Sequence, residues 1–89
     1  MHEHALMTDL VRQILRTAES EKARRVVGVS VWLGALSHLS PGHFAEHFQN
    51  AAAGTIAEGA EIDAATSDDI HDPRAADVVL RGVDVETGP

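Results

Sequence analysis

Apolar residues recur at three- and four-residue steps early in the chain and then, after a charged break, at two-residue steps. Over residues 4 to about 21, Leu6, Leu10, Val11, Ile14, Leu15 and Ala18 form one stripe. That spacing predicts an amphipathic helix, with Arg12, Arg16 and Glu19 on its polar side. Residues 21–25 are a charged link. Residues 25–33 then alternate as a strand: Val27, Val29, Val31 and Leu33 are expected to face the helices. Val26, Gly28, Ser30 and Trp32 fall on the opposite face, which leaves Trp32 partly exposed or covered by another subunit. Residues 34–39 read as a turn-rich connector. Ser40-Pro41 has the chemistry of an N-cap followed by proline in the first helical turn. A second helix follows to about residue 53, with Phe44, Phe48, Ala51 and Ala52 on its apolar face and Gly54 as its stop.

A second strand is predicted over 60–65, with Ala60, Ile62 and Ala64 inward. Residues 66–76 are polar, contain Asp72-Pro73 and show no period, so they read as a loop. Residues 77–86 form a third strand whose phase slips: Val78 and Leu80 share one phase, Val83 and Val85 the other. A bulge near Gly82 reconciles the two halves, because one extra residue reverses the facing. The pattern therefore predicts a single α/β domain over 1–89, of the two-layer α+β kind. Its order is α-β-α-β-β, with a three-stranded mixed sheet carrying both helices on one face.

Composition narrows the function classes. The 89 residues are 44% hydrophobic and 24% charged, with three aromatics, Trp32, Phe44 and Phe48. A chain this short buries only roughly 60–65% of its unfolded surface, so a homo-oligomer or a partner would add stability. Net charge is −7. The carboxylates crowd the second half, from Glu58 to Glu86, and the basic residues Arg12, Arg16, Lys22, Arg24 and Arg25 lie early. An acidic domain repels phosphate backbones, which argues against nucleic acid as the main partner. The absence of cysteine removes disulfides, thiol catalysis and thiolate zinc sites. No long apolar run suggests a membrane span and no signal peptide is recognised, so a cytoplasmic location is expected.

An enzyme is not expected. No Ser stands in a Gly-x-Ser-x-Gly elbow, and Gly28 and Gly34 lack the spacing of a phosphate loop. Histidine is the abundant chemical group, with six copies. His43-x-x-x-His47 puts two imidazoles on one helix face, a spacing able to share a metal. Glu46 directly precedes His47, unlike the zincin arrangement, and no third ligand is visible, so the pair reads as amphipathic residues bordering the core. His38 lies in the connector, either an ordinary loop histidine or one within reach of the N-terminal tip.

That tip, Met1-His2-Glu3, is the best metal candidate on chemical grounds. The bulk of His2 predicts that Met1 is retained. An α-amino group, the amide nitrogen of residue 2 and the His2 imidazole then lie in one plane, a donor set suited to Ni(II) or Cu(II). A fourth ligand would come from the next amide, Glu3, His4 or His38. Standing alone, Met-His is a common start.

Several stretches in order change that weight. They are Met1-His2-Glu3, Leu6-Met7, Val29-Ser30-Val31-Trp32-Leu33-Gly34, Leu36-Ser37, Pro41 and Gly54-Thr55-Ile56-Ala57-Glu58-Gly59-Ala60-Glu61-Ile62. Together they resemble the HypA/HybF family of hydrogenase nickel-insertion accessory proteins over residues 1 to about 64. The resemblance implies a nickel metallochaperone that delivers Ni(II) toward [NiFe]-hydrogenase, and in some cases urease, with a nickel-insertion GTPase and the hydrogenase large subunit as partners. It maps the nickel site onto Met1 (through its amine), His2 and Glu3, while His4 and His38 stay further candidates on chemical grounds alone. The family carries a zinc module with two Cys-x-x-Cys motifs between its second and third strands. Here residues 66–76 occupy that place, so no structural zinc is expected. Gly34-Ala35-Leu36-Ser37 also lacks the Glu of the family pattern Gly-Glu-Leu-Ser, and Pro41-Gly42 replaces Pro-Glu. The alternative reading is a non-catalytic adaptor that keeps the fold without delivering nickel and binds a partner around Trp32.

Overall fold

The computed structural model describes the backbone of residues 3–88 and the side chains from residue 4 to 88. Helix α1 spans Glu3–Ser20, strand β1 Arg25–Leu33, helix α2 Pro41–Ala52, strand β2 Glu61–Thr66 and strand β3 Val78–Glu86. The strand order is β2-β1-β3. β1 pairs in parallel with β2 and antiparallel with β3, so the sheet is mixed, as the pattern predicts. The parallel pair requires a crossover between β1 and β2, and α2 is that crossover. α1 packs against α2 and over β3, and α2 over β2.

The core lies between this sheet and the two helices. Met7, Leu10, Val11, Ile14 and Ala18 come from α1, Phe44, Phe48 and Ala52 from α2, and Val26, Val29, Val31 and Leu33 from β1. The helical stripe is as expected, with Met7 added to it. The strand phase holds for Val29, Val31 and Leu33 and fails at the start of the strand. Val26 is fully buried and Val27 is 40% exposed, the reverse of the alternation expected from sequence. The cause is a bulge: Val26 pairs with Val85 and Gly28 with Asp84, so Val27 is an extra residue that turns outward. The expected slip in β3 is present. Ser30 pairs with Gly82 and Val31 with Leu80, which leaves Arg81 as the extra residue. Val78, Leu80, Val83 and Val85 all pack against the core as a result. Two bulges thus let the β1–β3 ribbon keep its apolar side chains on one face.

The connection between β2 and β3, residues 67–77, is held by its own hydrogen bonds. Side-chain oxygens of Ser67, Asp69 and Asp72 accept from the backbone N–H groups of Asp69, His71 and Arg74. Ala75 is buried, and its carbonyl accepts from Leu36 N at 2.7 Å while Gly34 N donates to Asp77 O at 2.9 Å. This docking explains Gly34. A Cβ there would stand 2.2 Å from the Ala75 carbonyl oxygen and 2.7 Å from that of Arg74. Both obstacles are backbone, which cannot rotate aside.

The link after α1 is closed by Arg24. Its backbone N–H donates to the Glu86 carbonyl at 2.8 Å, and its guanidinium pairs with the Glu86 carboxylate. That hydrogen bond, and then the Arg24 charge itself, hold the Glu86 carboxyl below its ordinary pKa. A depressed folded-state pKa contributes stability that is present above the unfolded-state value and is lost as pH falls through the folded one.

Two outcomes test this packing. Gly34→Ala should destabilise the domain by about 1–3 kcal/mol, the usual range for overpacking, measured as a fall in the urea unfolding midpoint. A carboxyl-carbon NMR titration should find Glu86 ionising below the free-glutamate range, and Arg24→Ala should bring it back up.

Candidate metal centre

α2 is fixed in rotation by Phe44 and Phe48, both fully buried, with ring centroids 6.2 Å apart. Successive helical residues are turned by about 100°, so His43 and His47, each one residue earlier, fall at the rim of the core. His43 is exposed and His47 half-buried. Their rings face each other, with centroids 4.5 Å apart and the Nε2 atoms 2.7 Å apart. The helix begins at an N-cap. Ser40 has extended backbone, and its hydroxyl oxygen accepts from His43 N at 3.2 Å, so the first histidine of the pair sits on a backbone pinned by the cap.

The far end of α2 is tied down by Gln49. Its Nε2 donates to the Ala60 carbonyl and its Oε1 accepts from Gly59 N, both at 3.0 Å. Thr55 Oγ1 donates to Ala52 O at 2.7 Å and accepts from Ala57 N. Glu58 accepts from Gly54 N at 2.9 Å, and Ile56 O accepts from Val26 N of the central strand. Gly54 and Gly59 have φ of 81° and 80°, a region that glycine alone enters without steric cost. Every polar residue of the stretch from Gly54 to Gly59 thus serves the turn that carries the chain from α2 into β2. The segment has a structural role, and Gln49, unremarked in the sequence, joins it to the helix.

The expected nickel ligands fall as follows. Met1 and His2 lie outside the described residues, and of Glu3 only the backbone is described, as the first residue of α1. His4 is exposed in the first turn of that helix. It lines a cleft of about 400 Å³ with Met7 of α1 and His47, Asn50 and Ala51 of α2. The start of α1 therefore lies beside the histidine-bearing face of α2. His38 does not line that cleft. It is exposed in the connector at φ 63°, a left-handed position. Among the described residues, no group of three or more His, Asp or Glu side chains is gathered to hold a metal. Trp32 is half-buried on the outer sheet face, in a depression shared with Asp72, Arg74, Val79 and Arg81. Among the described residues, no helix is long and apolar enough to cross a membrane.

Comparison with known proteins gives the arrangement a lineage. The family model described as "Hydrogenase/urease nickel incorporation, metallochaperone, hypA" matches residues 1–70. The chain belongs to the HypA family. It is similar to the hydrogenase maturation factor HypA of Archaeoglobus fulgidus, at 38% identity over 63 residues, 71% of this chain and 57% of that protein. The HypA of Thermococcus gammatolerans is 45% identical over 62 residues, 70% of this chain and 45% of its own length. The chain thus spans about half the length of the curated relatives it matches. Its fold is similar to the solution structure of the Ni metallochaperone HypA from Helicobacter pylori, with a TM-score of 0.78 at 14% identity over 99% of this chain and 100% of that one.

Removing the Gln49 clamp checks the role assigned to the turn. Gln49→Leu leaves the Gly59 N–H and the Ala60 carbonyl without their partner and should cost about 1–3 kcal/mol. Hydrogen exchange should show faster opening of residues 54–60, with α1 protected as before.

Proposed function

We propose that this HypA-family chain is a nickel metallochaperone-like protein that serves hydrogenase maturation, holding Ni(II) at Met1, His2 and Glu3. The supporting observation is that the family match begins at residue 1 and includes the tripeptide, whose donors are an amine, an amide nitrogen and an imidazole. Three nitrogens in one plane are the set that selects Ni(II) or Cu(II) over cations preferring tetrahedral sites. His4, which follows the tripeptide in sequence and lines a cleft with His47, is a candidate for an additional ligand, and His38 is another.

The reading extends to what surrounds the site. The chain acts as a carrier, without catalysis. By family, its partners are the hydrogenase large subunit and a nickel-insertion GTPase, with urease as a second client class, and its place of action is the cytoplasm. No structural zinc is part of it, since the connection between β2 and β3 offers no thiolate donor and docks on Gly34 through its own backbone. The acidic surface suits a carrier that avoids nucleic acid.

Calorimetric titration of Ni(II) into the untagged protein tests the proposal. His2→Ala, or an extension that blocks the Met1 amine, should weaken the tightest binding step by at least about tenfold, or about 1.4 kcal/mol. The intact tip should give a yellow, diamagnetic complex. Unchanged affinity and colour in both altered proteins would overturn the assignment.

A further inference from the structure

The His43–His47 pair has a geometry that amphipathic packing alone does not require. A histidine bordering a core is served by burying one ring face. Here both imidazoles turn toward each other until their Nε2 atoms are 2.7 Å apart. Two nitrogens bound at right angles to one ion, each about 2.0–2.1 Å from it, stand roughly 2.8–3.0 Å apart. At 2.7 Å the two nitrogens stand at hydrogen-bond distance, so a cation enters by displacing the proton between them, with both lone pairs turned onto it and the nitrogens parted by a few tenths of an ångström. The backbone beneath is rigid: the Ser40 cap holds His43 at one end, and buried Phe44 and Phe48 hold the rotation of the helix between.

We infer that His43 and His47 form a second metal site, a bidentate helix-borne chelate for borderline divalent cations such as Ni(II). His47 also lines the cleft that His4 enters from α1, so the chelate lies beside the turn that carries the N-terminal tip. The pair supplies two nitrogen donors, and the remaining coordination positions fall to other groups or to water. That the physiological ion is nickel rests on the function proposed above. The ability of the pair to chelate does not.

The test uses the full chain with its N-terminal amine blocked by acetylation, so that the tip is silenced. Ni(II) titrated into this protein should bind one equivalent and broaden the imidazole NMR signals of His43 and His47, because a water-completed nickel site is paramagnetic. His43→Gln and His47→Gln should each weaken that binding by at least about tenfold. His71→Gln, in the exposed loop, should leave it unchanged. Circular dichroism of each variant checks that the fold is kept. In the unblocked chain, the double variant His43→Gln/His47→Gln should lower the stoichiometry from two nickel ions to one. If the blocked protein binds one ion through the pair and the unblocked double variant binds none, the chelate stands and the N-terminal assignment falls. If the blocked protein binds none while the double variant still binds one, the chelate is overturned and the tip stands. Broadening absent from His43 and His47, or an affinity in both single variants unchanged from that of the blocked parent, likewise overturns it.

Discussion

The burial of one face of β1 beneath both helices is the constraint on which the other features depend. Val26, Val29, Val31 and Leu33 are sealed there, and β1 is the strand that pairs with both neighbours. A domain of this size has one core and little surplus stability, so each element must add its apolar surface to that single layer. The two bulges follow from the same demand. Opposite β1, the ribbon keeps Val83, Val85, Val78 and Leu80 turned inward only because Val27 and Arg81 are turned out of register.

Packing on that layer also places the chemistry. The phenylalanines of α2 enter the core, and the histidines one position earlier are left at its edge. The Ser40 cap and the Gln49 clamp then fix both ends of the helix against the sheet. Because α1 lies beside α2, its first turn shares a cleft with His47. The donors along this edge are imidazoles supported by backbone whose position the core decides. The most distinctive stretch of the sequence, Gly54 to Glu61, contributes to this indirectly, by turning the chain tightly enough for β2 to pair beside β1.

The connection between β2 and β3 is closed by its own hydrogen bonds. Asx- and Ser-type turns satisfy its backbone, Ala75 is drawn into the interior, and the absence of a Cβ at Gly34 lets two strand ends approach. The glycine that the resemblance marks as part of a pattern is thereby accounted for, since an added Cβ would stand 2.2 Å from the Ala75 carbonyl oxygen.

Periodicity in the sequence was enough to determine the five elements, their order, both helical stripes, the Ser40-Pro41 start and the slip in β3. Those signals are local: a 3.6-residue or two-residue repeat, a cap, a break in phase. The bulge at Val27 was not legible, because Val26 and Val27 are both valine and either phase reads as apolar. Which of them is buried depends on how β3 registers against β1. The His43–His47 spacing was equally plain in the chain. Its ring-to-ring approach and the neighbouring His4 come from helix rotation and helix–helix packing, quantities that no local repeat encodes. Sequence determined which donors the protein has, and the tertiary structure decided which of the described ones meet, because contact between distant segments is set by the shared core.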